Sequence, residues 1–227
     1  MTSMLRSFVT RPWLFELGAK FYAWFTAQRV WRESCARLVA HFPPAPAGRP
    51  LLILDLGCGP GVTAIEMAAR RPDSRIIGLD LAPRMLAEAR RFTRAAGLTG
   101  QIDYVLADAT RLPFAASAVD MVTGHSFLYL VRERRQVLAE AYRVLRAGGH
   151  YASMEPHGGG ADWRGVLRDY GREVRMMLAI ILWRPFSRLH GQLSAQRFAQ
   201  LLGEAGFTEF RSEAVLHGLG IIGAAEK

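Results

Sequence analysis

The feature that most constrains the fold is a glycine-rich turn at positions 57–61. Four apolar residues and Asp55 lead into three glycines at alternate positions, and a segment of helical pattern, Val62–Arg70, follows at once. This order predicts a buried strand, a tight turn and a helix. Glycines leave room where a backbone bends sharply or must touch a ligand, and the free N–H groups at the start of a helix face that ligand. The sequence therefore predicts a ligand site where the strand ends.

The spacing of the glycines argues against a dinucleotide site. The dinucleotide fingerprint G-x-G-x-x-G would place its third glycine at position 62, where the chain has Val62. Gly61 comes one position early, and Asp55 stands just before the turn, where a bound cation or amine would meet it. An NAD-dependent dehydrogenase is therefore a weaker hypothesis.

Residues 55–61, with the sequence Asp-Leu-Gly-Cys-Gly-Pro-Gly, resemble the first motif of class I S-adenosylmethionine (SAM) dependent methyltransferases. Over about residues 50–157 the chain looks similar to the small-molecule methyltransferases of ubiquinone and menaquinone biosynthesis. The resemblance implies an α/β fold, with a Rossmann-like, doubly wound, mostly parallel sheet of seven strands. It also implies that the turn passes under the methionine part of SAM. The candidate cofactor-binding residues in this motif are Asp55, Gly57, Cys58, Gly59 and Gly61.

An acid follows the next predicted strand, residues 75–80. Asp80 lies 19 positions after Gly61, and an acid at about this distance can accept hydrogen bonds from both ribose hydroxyls. The alternative is an acid at the N-terminus of the helix predicted over residues 83–94. Residues 81–86 resemble the continuation of the family motif, which implies that Leu81 and Met85 flank the adenine.

The third predicted strand, residues 102–106, leads into Asp108 and Ala109. Together with Leu112, Pro113 and Phe114 these two residues resemble the adenine motif of the family. The resemblance implies that the carboxylate accepts from the exocyclic amine and that the Ala109 N–H bonds a ring nitrogen. The alternative is a surface acid in a loop.

The fourth and fifth predicted strands supply the candidate catalytic groups. Because ligands sit at the carboxyl ends of strands in an open α/β sheet, His125, Ser126 and Tyr129 should lie near the cofactor or the acceptor. Related methyltransferases carry two histidines where Tyr129 and Leu130 stand, so no catalytic role carries over from those histidines. Glu155 and His157, before a run of three glycines, are expected at the rim of the acceptor site.

A phenol or a ring carbon as acceptor would profit from a general base, whereas a neutral amine or a thiolate needs none. The candidates for that base, in order, are His125, His157, Glu155 and Tyr129. For His125 and Ser126 the alternative role is to form a wall of the cofactor pocket.

The predicted domain organisation is an N-terminal helical lid with its linker, residues 1–49, and a SAM-binding domain, residues 50–227. Within residues 12–42 an apolar stripe at helical spacing includes Leu14, Phe21, Trp31 and Leu38. The stripe is interpreted as a core helix, as a lid over an apolar substrate or as a helix on a membrane surface. Residues 163–191 form an insertion expected to set substrate specificity. Its apolar centre, residues 176–183, is surrounded by arginines and is interpreted as a core helix, an acceptor pocket or a face for anionic lipid.

Composition bounds the remaining hypotheses. The net charge of +9 rests on scattered arginines with no basic-aromatic repeat, so nucleic acid is not the expected partner. Two cysteines, Cys35 and Cys58, indicate a reducing compartment, and the cytoplasm is the expected location. No metal site is predicted, because no Cys/His cluster has ligand spacing.

Three hypotheses about function stay open. The first is a methyltransferase that acts on a small apolar acceptor. The second is a methyltransferase that acts on a membrane lipid or quinone and contacts the membrane peripherally, and the third is a non-catalytic SAM-binding protein. A homodimer remains open for each of the three.

Overall fold

A computed structural model describes residues 29–227 of the 227-residue chain. The helices are α1 (Arg29–Val39), α2 (Val62–Arg70), α3 (Pro83–Ala95), α4 (Arg134–Val144), α5 (Trp163–Tyr170), α6 (Val174–His190) and α7 (Ala195–Glu204). The strands are β1 (Leu51–Leu56), β2 (Ser74–Asp80), β3 (Ile102–Leu106), β4 (Val119–His125), β5 (Leu145–Pro156), β6 (Thr208–Val215) and β7 (Gly220–Glu226). Short 3₁₀ turns at Leu128–Leu130 and Leu216–Gly218 complete the described part.

The seven strands form one sheet in the order β3-β2-β1-β4-β5-β7-β6. The first five run parallel, and β7 is antiparallel to both of its neighbours. The order of the strands along the chain reverses between β1 and β4, which is where open α/β sheets bind their ligands. The predicted doubly wound, mostly parallel seven-stranded fold is confirmed, and β6 and β7 form a C-terminal antiparallel hairpin.

The sheet is covered on both faces, as strands that are apolar on both sides require. On one face α4 and α7 pack against it around the fully buried Phe198. On the other face α1 and α2 pack around Leu38 and Met67, which are also fully buried. These two layers fix the strand ends from which the candidate site is built.

The fifth strand begins directly after α4. Leu145 already pairs with Val119 of β4, although residues 143–150 have the local sequence pattern of a helix end with paired glycines. Gly148 adopts a φ of +70° and donates its N–H to the carbonyl of Lys227. The paired glycines therefore lie within the first part of β5, where pairing with β4 overrides the local helical pattern.

The insertion forms α5 and α6, which join α1 in a third apolar cluster. This cluster includes Trp31, Tyr170, Ile180 and Trp183, and the two indole rings lie 5.4 Å apart in an edge-on arrangement. One arginine of the insertion is not solvated as expected. The Arg184 side chain is buried and donates to the carbonyls of His157 and Gly159, so it holds the glycine loop after β5 against α6.

The expectation of an N-terminal helix is tested only in part. Residues 29–39 are helical, and Trp31, Cys35 and Leu38 are buried, as the apolar stripe predicts. The other stripe residues of the predicted lid, such as Leu14 and Phe21, lie outside the described residues. The division of the chain at residue 49 therefore stays a prediction.

Candidate cofactor site at the carboxyl edge of the sheet

A cavity of about 520 Å³ opens at the carboxyl ends of β1, β2, β3 and β4. It brings together the glycine turn and the two acids at positions 80 and 108, which are far apart in sequence. Eight of the predicted cofactor-binding residues line it: Gly57, Gly59, Asp80, Leu81, Met85, Asp108, Ala109 and Ser126. The geometry thus places three separate sequence motifs on one concave surface large enough for a nucleoside ligand.

The glycine turn has a conformation that side chains would obstruct. Gly57 and Gly59 adopt φ angles of +63° and +51°, a region that residues with a Cβ rarely enter. A Cβ at position 57 would overlap the ring of Phe127, which lines the same cavity. The turn and the loop after β4 are therefore in direct contact, and the glycine makes that contact sterically feasible.

Asp80 links the turn to the loop that follows β2. Its two carboxylate oxygens accept hydrogen bonds from the N–H groups of Gly59 and Ala82, both at 2.9 Å. Each carboxylate oxygen can accept more than one hydrogen bond. Asp80 thus stabilises the shape of the cavity and still presents acceptor capacity to a ligand with vicinal hydroxyls.

The far end of the cavity has mixed polar and apolar walls. Met85 is buried at the start of α3, and Leu81 is half exposed beside it. Asp108 accepts a hydrogen bond from the Thr110 N–H at 2.8 Å, and this bond orients its carboxylate. Apolar side chains flanking an oriented acceptor suit a flat heterocycle that carries an amine.

Asp55 lies beneath the turn as a buried carboxylate. It has no exposed surface, and neither of its oxygens has a hydrogen-bond partner among the described residues. Burial, together with the nearby negative charge of Asp80, raises its pKa to about 8. A buried carboxylate without a partner is costly, and a ligand cation or ammonium group next to it would remove that cost.

Four of the predicted cofactor residues, Asp55, Cys58, Gly61 and His125, do not line the cavity. The Cys58 thiol is buried next to Gly78 on β2, and burial raises its pKa. Gly61, at a φ of +80°, precedes α2, and a Cβ there would lie 2.5 Å from the Tyr104 hydroxyl. These two residues shape the turn from behind.

His125 does not project toward the cofactor cavity as predicted. Its Nε2 lies 2.6 Å from the Ser34 hydroxyl, and its ring packs on Trp31, so α1 covers it. Burial lowers the pKa of His125 to about 4, and the imidazole is neutral at pH 7. The role of His125 as a wall of the cofactor pocket stays a prediction, and its lowered pKa would make it a weak base.

Glu155 is fully buried, so it does not project from the surface as a rim residue would, and its role at the acceptor site stays a prediction. Its oxygens accept the N–H groups of Leu128 and Tyr129 at 3.0 and 3.1 Å. Burial raises the pKa of Glu155 to about 7, although these hydrogen bonds oppose that rise. Glu155 therefore fixes the 3₁₀ turn that follows β4, and Leu130 of that turn lines the cofactor cavity.

Arg134 holds the same turn from its opposite side. Its guanidinium donates to the carbonyls of Leu128 and Tyr129, the latter at 2.7 Å, and also to the carbonyl of His190 at 3.0 Å. Because His190 is the last residue of α6, this side chain joins the insertion to the loop beside the cofactor cavity.

Tyr129 and His157 also lie away from the cofactor cavity. Tyr129 is buried edge-on against Phe186 and His190, and it borders a separate cavity beneath α4. The Nδ1 of His157 lies 3.2 Å from the carbonyl of Gly218. None of the four predicted bases therefore lines the cofactor cavity.

The sequence reasoning missed the loop after β4 as a wall of the site. Phe127, Leu130, Val131, Arg132 and Glu133 line the cavity along one side. The only indication was their position after a strand end, because no residue type in this loop marks a cofactor contact.

Comparison with known proteins agrees with this geometry. Residues 53–149 match the family model described as a methyltransferase domain. The sheet order and the similarity to solved SAM-dependent methyltransferases show the Rossmann-like α/β fold of that class, and residues 53–149 are similar to its methyltransferase domain. Within that class, the chain resembles the group of ubiquinone/menaquinone methyltransferases.

Two curated relatives and one solved structure illustrate the similarity. The chain is 40% identical over 131 residues to a demethylmenaquinone methyltransferase of Thermus thermophilus, covering 58% of this chain and 56% of that protein. It is 34% identical over 132 residues to the ubiquinone/menaquinone biosynthesis C-methyltransferase UbiE of Geotalea daltonii, covering 58% and 54%. The match therefore spans little more than half the length of these relatives.

The solved structure is a phosphoethanolamine N-methyltransferase of Haemonchus contortus in complex with phosphomonomethylethanolamine and S-adenosylhomocysteine. It has a TM-score of 0.70 and 16% identity, covering 98% of this chain and 59% of that one, so it supports the fold.

S-adenosylmethionine, the cofactor of this class, fits the residues present. Asp80 offers acceptors for ribose hydroxyls, and Asp108 with Met85 offers a place for the adenine. The partnerless carboxylate of Asp55 below the turn suits the positively charged methionine end. The fit thus includes a buried carboxyl group that has no hydrogen-bond partner among the described residues.

Proposed function

We propose that the chain is a SAM-dependent methyltransferase that acts on a small, apolar or aromatic acceptor. The observation that carries this proposal is the convergence of the glycine turn, Asp80 and Asp108 on one cavity above the buried Asp55. The methyltransferase domain match over residues 53–149 supports the same reaction class.

The residues of the site hold and orient the ligand. When bound, SAM supplies an electrophilic methyl group on a sulfonium. The turn, Asp80 and Phe127 fix the position of the ligand, and the apolar wall limits the access of water. Orientation and exclusion of water can supply much of the rate enhancement of a displacement reaction.

The placement of the predicted bases narrows the expected acceptors. His125, Glu155 and Tyr129 are buried and engaged with other parts of the protein, and His157 lies beside Gly218. The burial of these groups supports an acceptor whose nucleophilic atom is already deprotonated when it binds, or one that releases its proton to solvent. A neutral amine or a thiolate meets that condition.

The second candidate function is methylation of a quinone or lipid that resides in a membrane. The names of the two curated relatives and the apolar outer face of α6 support this candidate. A non-catalytic SAM-binding protein is the third hypothesis, and the first experiment below separates it from the other two.

The test is incubation of the purified chain with methyl-labelled SAM and either host extract or lipid extract, followed by mass identification of the labelled product. We expect a labelled small molecule in one of the two extracts. Asp80→Ala should strongly reduce labelling at SAM concentrations below saturation, whereas Asp103→Ala, which alters an exposed acid paired with Arg75 on the sheet edge, should leave it unchanged. Calorimetric SAM binding without a labelled product in either extract would favour the non-catalytic hypothesis, and binding of NAD in place of SAM would overturn the cofactor assignment.

A further inference from the structure

Exposed apolar side chains are concentrated on the insertion. The described residues include nine exposed large hydrophobic side chains, and seven of them lie within residues 163–190. They are Trp163, Leu167, Val174, Leu178, Ile181, Leu182 and Leu189. A concentration of this kind on one pair of helices marks a surface that contacts another apolar phase.

Helix α6 is apolar on two opposite faces. Its inner face places Met176, Ile180 and Trp183 in the third apolar cluster. Its outer face carries Leu178, Ile181 and Leu182, each more than half exposed. A helix that packs on a core by one stripe normally presents polar residues on the other, so the outer face of α6 departs from the pattern of a water-facing helix.

The charge around this face is strongly positive. Residues 163–190 contain six arginines and two acids, and the side chain of Arg184 alone among those arginines is buried. The acids are already engaged, since Asp169 contacts Arg168 and His217, and Glu173 contacts Arg29. The arginines thus leave a cationic border around an apolar centre, which is complementary to a surface with anionic headgroups above acyl chains.

We propose that the outer face of α5 and α6, here named the docking face and formed by the seven exposed side chains above, lies on an anionic lipid bilayer. The contact is interfacial, because no helix within residues 29–227 is long and apolar enough to cross a membrane. The apolar centre enters the region between headgroups and acyl chains, and arginines such as Arg172 and Arg188 contact the headgroups. Trp163 at the edge of the face suits the same interface.

The docking face is joined to the candidate cofactor site. Arg134 contacts both the last turn of α6 and the 3₁₀ turn beside the cavity, through the carbonyls of His190 and Tyr129. Docking would therefore hold the cavity near the lipid surface. The biological role of docking, delivery of a lipid-resident acceptor, rests on the proposed function. Lipid binding itself does not, because it needs no methyl transfer.

The test is cosedimentation of the full chain with vesicles, either of phosphatidylcholine alone or of phosphatidylcholine with phosphatidylglycerol. We expect binding to the anionic vesicles at low salt, weaker binding at high salt and little binding to neutral vesicles. The double variant Leu178→Asp with Ile181→Asp should reduce the partition coefficient by about tenfold or more, because it places charge in the apolar centre.

A second test variant, Arg188→Gln, removes a cation from the border of the docking face and should weaken binding to the anionic vesicles. Two matched controls exclude general effects of the substitutions: Leu106→Asp alters an equally exposed leucine on β3, and Arg94→Gln removes an exposed arginine outside the docking face. Both controls should leave lipid binding unchanged, and SAM affinity measured by calorimetry should be the same in all of these variants. Loss of lipid binding with intact SAM affinity separates this inference from the proposed function.

Three results would overturn the docking face as a lipid surface. The first is no association with anionic vesicles at low salt. The second is association that the Leu178→Asp, Ile181→Asp variant does not weaken. The third is a wild-type protein that binds no lipid and is a dimer in analytical ultracentrifugation, whereas the same variant is a monomer. In that case the docking face would bind a second copy of the chain and not a lipid surface.

Discussion

The buried Asp55 leads to a quantitative prediction about protons released on cofactor binding. With a pKa of about 8, its carboxyl is about 90% protonated at pH 7 in the free protein. A ligand cation next to a carboxylate favours its charged form and lowers its pKa. Binding of SAM near Asp55 should therefore release up to about 0.9 proton at pH 7.

Isothermal titration calorimetry in buffers of different ionisation enthalpy measures this proton directly. The slope of the observed enthalpy against the buffer enthalpy gives the number of protons released, and Asp55→Asn removes the titrating group. Any titration of the ligand amine contributes equally to both proteins, so the difference in slope belongs to Asp55. Because binding releases a proton, the affinity of the wild type for SAM should rise with pH between about 6 and 8. The affinity of Asp55→Asn should rise less over the same range.

The reasoning fails if wild type and Asp55→Asn show the same slope at pH 7 while both bind SAM. That result would mean that Asp55 either is already ionised in the free protein or keeps its proton in the complex. A variant that no longer folds would be recognised by circular dichroism, and Asp55→Ser would then replace it.

Three further predictions concern the site and its support. Asp80→Ala should weaken SAM binding in calorimetry by about 1.5–3 kcal/mol, the range for hydrogen bonds to a charged group, and Asp103→Ala should not; equal affinities would contradict the ribose assignment. Gly57→Ala should greatly weaken SAM binding, because the added methyl group would displace the phenyl ring of Phe127. Gly97→Ala is its control, since Gly97 has a similar φ of +71° but lies in open space, and it should lower stability without affecting SAM affinity. Since the pKa of Glu155 is raised to about 7, its contribution to the free energy of unfolding is most favourable below about pH 4.5 and declines by about 3 kcal/mol as pH rises through 7. Urea unfolding of wild type and Glu155→Gln at pH 5 and pH 8 would show this decline, and a difference that is independent of pH would refute it.

The strand ends and the ligand cavity could be predicted because local patterns determine them. Apolar runs ending in glycine or an acid mark the carboxyl ends of parallel strands, and these ends meet at one edge of the sheet. The placement of Asp80 and Asp108 on one cavity with the turn follows from this rule. Helix α2 begins and ends where its pattern predicts, at Val62 and Arg70.

The orientation of individual side chains could not be predicted in the same way. Successive residues of a strand face opposite sides of the sheet, so a difference of one position decides whether a side chain meets the ligand or the opposite layer. His125 therefore faces α1 and Ser34, whereas Ser126, with a φ of +54°, lines the cavity. The partners of Glu155 are N–H groups 26 and 27 positions earlier in the chain, and no residue type marks them.

The position of β7 between β5 and β6 has a consequence for how the chain is made. Strand β5 cannot receive its antiparallel neighbour until residues 220–226 have left the ribosome, although β5 itself ends at Pro156. During synthesis of the intervening residues the unpaired N–H and C=O groups of β5 form an open edge, to which another chain could add a strand. Slow translation of this interval, or a shortage of chaperones, should therefore lower the yield of native protein.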